Sequence, residues 1–382
     1  MPFHHPWKWH TEYAGQTARL LSRRYIVFCF LWAESVSIRD IVWDKMPFRL
    51  LTHPQKNLYL YQPLHIVPFR RFAPVRAMNF ILNIWILEYI KHHVTKAKAR
   101  TPTIVWLFGF FEPLFVLLPL ILGKHSFYFD CIDIAWQPVQ WKSKLVEAAE
   151  RRLIARARWM SVHSLTLLRR WKHARPSISL VPAGINLTRS QRRTGDAAVL
   201  PFKHKQPVIG YIGAIDYRIN FPLLLQIAKR NLQWNFFLVG PIFLDTRGTY
   251  VQKAVEELKR LPNVRFAVAQ RERIADILAS FDIGIIPYNT SLKFNRYSYP
   301  LKLMEYFLAG LPVVATDIYE LRRYPELVAR GQTPTTWKNN IRHFLASPLN
   351  KKQKAQAKTI ARSNSWESKL SLITKILEAD AP

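Results

Sequence analysis

Cysteine and acidic side chains are both scarce in this sequence. Two cysteines in 382 residues, Cys29 and Cys131, cannot build a disulfide framework or a cysteine-rich zinc site, which points to a reduced, cytosolic protein. Asp and Glu number 25 against 56 Lys and Arg, a formal net charge of +31. The opening MPFHHPWKWH has neither the apolar core nor the small-residue cleavage site of a signal peptide. One stretch, Thr103–Leu122, nears the length of a membrane span, but Gly109, Glu112 and Pro113 interrupt it. It reads instead as a buried strand, a loop and a buried helix. No internal repeat appears, and neither G-x-G-x-x-G nor G-x-x-x-x-G-K-[ST] is present, so a dinucleotide fingerprint and a P-loop are both excluded.

Apolar side chains are plentiful: 49% of the residues are hydrophobic and 13% aromatic. That rules out a disordered, collagen-like or coiled-coil chain, and the length suits two domains with separate cores. The surplus charge is spread over the chain and is densest at Lys91–Arg100, Arg151–Arg158 and Arg169–Arg175. Such a field favours nucleic acid, acidic lipid surfaces or phosphorylated small molecules, unless it is simply a solvated face.

Short apolar runs alternate with helical patterns throughout, which implies βαβ units and parallel sheets. The first half predicts strands at Tyr25–Phe30, Leu58–Tyr61, Ile104–Phe108, Phe127–Asp130, Trp159–Val162 and Ile178–Val181. The second half is more regular, with strands at Val208–Ile212, Phe236–Val239, Val264–Phe266, Ile283–Ile286 and Pro312–Ala315, and a helix over Pro300–Leu308 closed by Gly310. Residues 1–190 are expected to form one Rossmann-like domain, 191–206 a linker, 207–348 a second domain, and 349–382 terminal helices that pack back towards the first. The fold class is α/β, with two doubly wound domains facing each other across a cleft.

Ligands of such domains bind where strands turn into helices at their carboxyl ends. The first of these turns in the second domain, Gly213-Ala-Ile-Asp-Tyr-Arg218, offers close backbone approach at Gly213, with Asp216 beside it and Arg218 within reach of a phosphate. Gly213 serves geometry alone equally well. The densest constellation is Asn295–Thr316. Ser298, Tyr299 and Pro300 read as a helix start, Ser298 near the cap and Pro300 in the first turn, whose N–H groups suit a diphosphate. Lys302 adds a positive charge there, and Glu305, one turn on, suits the two hydroxyls of a ribose. In the first domain Asp130 and Asp133 are the only ionisable groups at the turn after FYFDCID. Either carboxylate orients a hydroxyl of a bound ligand or caps the next helix. Asp-x-x-Asp is not the metal-binding Asp-x-Asp, and the N-terminal His4, His5 and His10 are incidental, so no metal and no cofactor is expected.

SYPLKLMEYFLAGLPVVATD resembles the donor signature of GT-B glycosyltransferases of the group-one, family-four type, and the preceding PVIGYIGAID, NFFLVGP and LPNVRFAVAQRERIADILASFDIGIIPY follow that family in order and spacing. The likeness is strong over Pro207–Pro348 and weaker before it, where it rests on TPTIVWLFGF, FYFDCID and LVPAGIN. It implies a nucleotide-diphosphate sugar in the second domain, an acceptor in the first, and transfer with retention and without a metal. Glu305 matches the second glutamate of the family's E-x7-E pattern, which holds the donor ribose; Tyr297 replaces the first. Ala214 stands where an arginine is common, leaving Arg218 and Lys302 to supply the charge. Val268, Ala269 and Gln270 match the loop that borders the nucleobase.

The resulting expectation is a cytosolic glycosyltransferase acting at the inner face of the membrane on a cell-surface glycan or lipid-linked acceptor. The alternatives are a GT-B nucleotide-sugar epimerase and a basic nucleic-acid-binding protein; the basic residues follow no recognised nucleic-acid-reading motif. The helix expected over Ser143–Ala157 leaves Lys144, Arg151, Arg152, Arg156 and Arg158 off its apolar face, which makes an anionic membrane surface a partner.

Overall fold

The computed structural model describes residues 2–3, 13–37, 51–67, 72–95, 102–108, 113–133, 143–175, 177–187, 202, 206–244 and 249–379. The chain divides into two compact units, Met1–Val181 with Leu370–Pro382, and Pro182–Lys369. Most of the expected linker, and His4, His5 and His10, lie outside the described residues.

In the first unit, β1 (Pro2–Phe3) pairs with β2 (Val27–Leu31), which follows α1 (Tyr13–Leu21). A two-stranded pair joins β3 (Val36–Ser37) to β6 (Leu64–His65), while β4 (Leu51–Gln55) and β5 (Leu58–Tyr61) complete a sheet of order β1-β2-β5-β4. All its pairings are parallel except β4 with β5. This antiparallel edge was not expected. Its LTHPQ is largely exposed, lacks the apolar alternation of a strand and carries Pro54, which only a sheet edge tolerates; Asn57, at φ 63°, makes the tight return to β5.

The helix α2 (Ala73–Thr95) is fastened from its buried side by two asparagines. Asn79 bonds both backbone groups of Val67, and Asn83 both those of Leu64. Beyond it, β7 (Ile104–Leu107), β8 (Ser126–Cys131), β9 (Trp159–Val162) and β10 (Ser179–Leu180) form an all-parallel sheet of order β10-β9-β8-β7. Cys29 and Leu58 of one sheet and Trp106, Tyr128 and Trp159 of the other share one core. The buried helix expected over Leu114–Leu122 is a 3₁₀ turn, Pro113–Leu117, followed by the single-turn α3 (Leu118–Ile121), and Leu120 points outward. Pro119 and the short distance to β8 limit it to that turn. Among the described residues no helix is long and apolar enough to cross a membrane. The helices α4 (Ser143–Arg156) and α5 (Leu165–Trp171) flank β9. Leu153 and Ile154 of α4 are buried, while Arg151, Arg152, Arg156 and Arg158 are exposed.

The second unit is one six-stranded parallel sheet. Its strands are β11 (Val208–Ile212), β12 (Asn235–Val239), β13 (Val264–Ala267), β14 (Ile283–Ile286), β15 (Val313–Ala315) and β16 (Val328–Arg330), in the order β13-β12-β11-β14-β15-β16. Strands β11, β12, β14 and β15 are buried along their whole length, as continuous apolar runs covered on both faces by helices should be. Those helices are α6 (Phe221–Arg230), α7 (Thr249–Lys259), α8 (Ile274–Ala279), α9 (Lys293–Tyr297), α10 (Lys302–Ala309), α11 (Pro334–Ala346) and α12 (Lys351–Ser363). Asn220, Thr333 and Asn350 cap α6, α11 and α12, Asn350 within a reciprocal capping box with Gln353. Gly310, at φ 75°, ends α10 in the left-handed conformation anticipated for it. The last helix, α13 (Trp366–Ala379), starts in the second unit and places Ile373 in the core of the first.

Candidate functional site

The strand order of the second unit reverses direction between β11 and β14, so the carboxyl ends of these two neighbours open a crevice at the switch point. Gly213 follows β11 directly at φ 116°, a conformation side chains disfavour, and a Cβ there would lie 3.0 Å from Lys302 Nζ. The turn is tied down by the Tyr211 hydroxyl, which donates to the Ala214 carbonyl at 2.6 Å. Within it, Asp216 accepts from the Arg218 backbone N–H, from Nε and, at 2.7 Å, from Nη2. The Arg218 carbonyl receives Asn289 N–H and the Asn295 amide. Arg218 is therefore fixed at both ends. Burial works against its charge, but Tyr288 and Asp216 hold its pKa above the ordinary arginine value.

Lys302, the first residue of α10, is buried. Its Nζ lies 3.7 Å from the ring centroid of Tyr211 and 4.9 Å from that of Tyr288, a cation against two aromatic faces. Among the described residues it has no ion-pair partner. Burial first, then repulsion from Arg218, pushes its pKa well below the usual lysine range, with Asp216 and Glu305 pulling the other way. Gly213, Asp216, Arg218 and Lys302 are thus brought together around Tyr211 and Tyr288. Neither tyrosine was singled out from the sequence, although Tyr211 lies two residues before Gly213 and so on the same face of β11.

The start of α10 departs from expectation. Ser298 does not cap it: Ser298 ends the short α9, its hydroxyl donating to the Asn295 carbonyl at 2.9 Å. The helix begins two residues after Pro300, through 3₁₀-type bonds from Leu303 N–H to the Pro300 carbonyl and from Met304 N–H to that of Leu301. Tyr299 turns its hydroxyl inward to Tyr324 and to Met304 Sδ, and burial raises its pKa well above the ordinary value. It supports the site from behind. Glu305 lies in the first turn of α10, half-buried. Val268 and Ala269 follow β13, two strands from β11, with Val268 exposed and Ala269 packed on the core.

In the first unit the turn after β8 is more crowded than its sequence suggests. Asp130 is fully buried. It accepts from the Tyr13 hydroxyl at 2.9 Å and the Ser161 hydroxyl at 2.8 Å, and His163 Nε2 lies 3.4 Å away. The ring of Tyr13 packs 4.2 Å from that of His163. Asp130 and Asp133 are therefore not the only ionisable groups at this turn: β9, parallel and in register beside β8, delivers Ser161 and His163 to it. The cue available in the sequence was the polar pair in the otherwise apolar WMSVH. Asp133, two residues beyond β8, is half-exposed, and its carbonyl receives the Cys131 thiol.

The family model of glycosyl transferases group 1 matches residues 206–357. A Bacillus subtilis (strain 168) protein named as a teichuronic acid biosynthesis glycosyltransferase, TuaH, is 27% identical over 273 residues, which cover 66% of this chain and 67% of the relative. Among solved structures, sucrose-phosphate synthase from Thermosynechococcus elongatus superposes with a TM-score of 0.72 at 16% identity, covering 97% of this chain and 93% of the other. Anabaena HepE, solved in complex with UDP, does so at 0.67 and 13% identity over 95% of both chains.

Proposed function

The chain is a glycosyltransferase of the group 1 type with the GT-B fold, and we propose that its second unit binds a nucleotide-diphosphate sugar whose glycosyl group passes to a glycan or lipid-linked acceptor bound by the first. The observation that carries the donor half is Lys302. A buried lysine amine with aromatic neighbours and, among the described residues, no ion-pair partner, beside a left-handed glycine and at the start of a helix, is suited to an incoming diphosphate. As the glycosidic bond breaks, negative charge gathers on the leaving diphosphate. Lys302 and the N–H groups opening α10 stabilise it there without a metal. Arg218, held by Asp216, contributes its field and its remaining N–H groups. Gly213 lets the diphosphate approach the backbone, with Pro300 opening the way to α10 and Ser298 shaping the turn before it.

Glu305 is assigned to the ribose hydroxyls and the Val268–Ala269 loop to the base. Asp133 is assigned to the acceptor hydroxyl, with Asp130, enclosed by Tyr13, Ser161 and His163, fixing the turn that carries it. The TuaH likeness supports an acceptor belonging to a cell-envelope polysaccharide, and retention of configuration is the stereochemical outcome assigned. The free thiols and the basic α4 support action at an anionic membrane surface on the cytoplasmic side.

The test is calorimetric. HepE was solved with UDP, so UDP and uridine are the ligands to titrate. Glu305→Ala should weaken both by about 1.5–3 kcal/mol, the worth of a charge-assisted contact. Lys302→Met should weaken UDP far more than uridine. Equal losses for both ligands in Lys302→Met, or an unchanged UDP affinity in Glu305→Ala, would remove these residues from the donor site.

A further inference from the structure

Most helices of a folded unit bury their large apolar side chains; α2 buries Phe80 and Ile84 but leaves others outside. Its inward face is polar in part, carrying the buried Asn79 and Asn83, whereas its outward face presents Met78 at 44% exposure, Trp85 at 59% and Tyr89 at 66%. Positions 78, 85 and 89 fall within about 40° of one another around a helix of 3.6 residues per turn, so they form one stripe. Glu88 is the one acidic residue of this helix. Its carboxylate is taken up by Lys91 at 2.7 Å and His125 at 3.0 Å, so it does not oppose an anionic surface.

The same neighbourhood holds a second apolar projection and a set of cations. Glu88 ties α2 to His125, and on the other side of that turn Arg156 of α4 donates to the Gly123 carbonyl at 2.8 Å. The turn is therefore gripped between the aromatic helix and the basic one. Three residues before Gly123, Leu120 is 81% exposed, and Lys124 follows it. His92 and His93 close α2 with their side chains exposed.

A stripe of Trp, Tyr and Met bordered by Lys and Arg matches neither water nor a protein groove. It matches the boundary of a bilayer, where the aromatic rings sit at headgroup level and the cations meet acidic lipid. We propose that α2 lies in the surface of an anionic membrane, with Trp85, Tyr89 and Met78 inserted beside Leu120 while Lys124 and Arg156 contact the headgroups. This refines the membrane partner of the reading above: an apolar insertion, rather than the basic α4 alone, fixes the first unit to the lipid. Binding then has a part that salt removes and a part that it does not.

The experiment uses the full chain with vesicles of phosphatidylcholine, alone or mixed with phosphatidylglycerol, read by co-sedimentation and by quenching of tryptophan fluorescence with brominated lipid. The intact protein should bind the mixed vesicles and retain a fraction at high salt. Trp85→Ser with Tyr89→Ser should lose affinity by about tenfold or more, given the apolar area each ring withdraws from water. Trp85→Phe should keep binding but lose part of the quenching, which identifies the inserted ring. Melting temperature and UDP affinity without vesicles, both unchanged in the variants, show that fold and donor site are intact; in the intact chain, UDP binding without any binding to the mixed vesicles would overturn the insertion and leave the donor reading standing. The proposal is also overturned if binding of the double variant equals that of the intact chain, if high salt releases all of the protein, or if the stripe proves to mediate a dimer or to bind nucleic acid in preference to vesicles.

Discussion

Lys302 has exchanged water for two aromatic rings and a neighbouring arginine, and its protonation must show the cost. Its pKa in the folded protein is pushed well below the ordinary lysine value, burial being the first cause. Between that depressed value and the unfolded value near 10.4, the unfolded chain binds more protons than the folded one, so stability should rise with pH across this window. Lys369, depressed by burial in the same direction, adds to the slope. Urea unfolding at increasing pH should give a rising midpoint, and Lys302→Met should flatten the rise. Diphosphate binding has the opposite effect on this lysine, since a nearby dianion favours its charged form. Above the depressed pKa, UDP binding should therefore take up a proton, visible as a binding enthalpy that depends on the buffer's ionisation heat. No buffer dependence in the intact protein would show that Lys302 does not face the diphosphate.

At the level of elements, Gly310 offers the cleanest test of local backbone physics. A Cβ there would meet Lys354 Cγ at 3.6 Å and Lys358 Cε at 3.7 Å, ordinary contacts, so the effect of Gly310→Ala comes from the left-handed φ alone. It should cost about 1–2 kcal/mol and lower the melting temperature accordingly. The signals that made this cap legible, an apolar helical run followed by glycine, also fixed β5, β9, β11 and β14 to the residue, because each is a buried strand written as an apolar run between polar turns. The beginning of α10 was not legible in the same way. Ser298 before Pro300 is the pattern of a helix start, yet the short KFNRY segment turns out to be helical itself and uses the serine to close. Sequence alone does not say which of two adjacent helices owns a serine between them. For the same reason Glu305, Arg218 and Gly213 could be named from a linear pattern. The Tyr211–Tyr288 enclosure of Lys302, and the delivery of His163 and Ser161 to Asp130, depend on strands distant in the chain lying side by side. β4 and β16 escaped because neither alternates, one largely exposed and the other three residues long.

On the scale of the whole molecule, the chain enters the second unit at Pro182 and leaves it at Lys369, so the second unit is an insertion within the first. Ile373 is fully buried in the first unit's core, with Leu370, Ile376 and Leu377 packed around it, and Arg24 reaches Thr374 at 3.4 Å. A chain ending at residue 369 should therefore expose that core and bind a hydrophobic dye, while residues 182–369 alone should melt cooperatively; a compact, dye-free truncated chain would refute this. The placement of Ile373 also sets an order of events during synthesis. The unit made first cannot close its core until Ile373 has left the ribosome, whereas the unit made second has every residue of its own beforehand. The first unit should therefore fold after the second, and until then its apolar strands stay exposed to other chains.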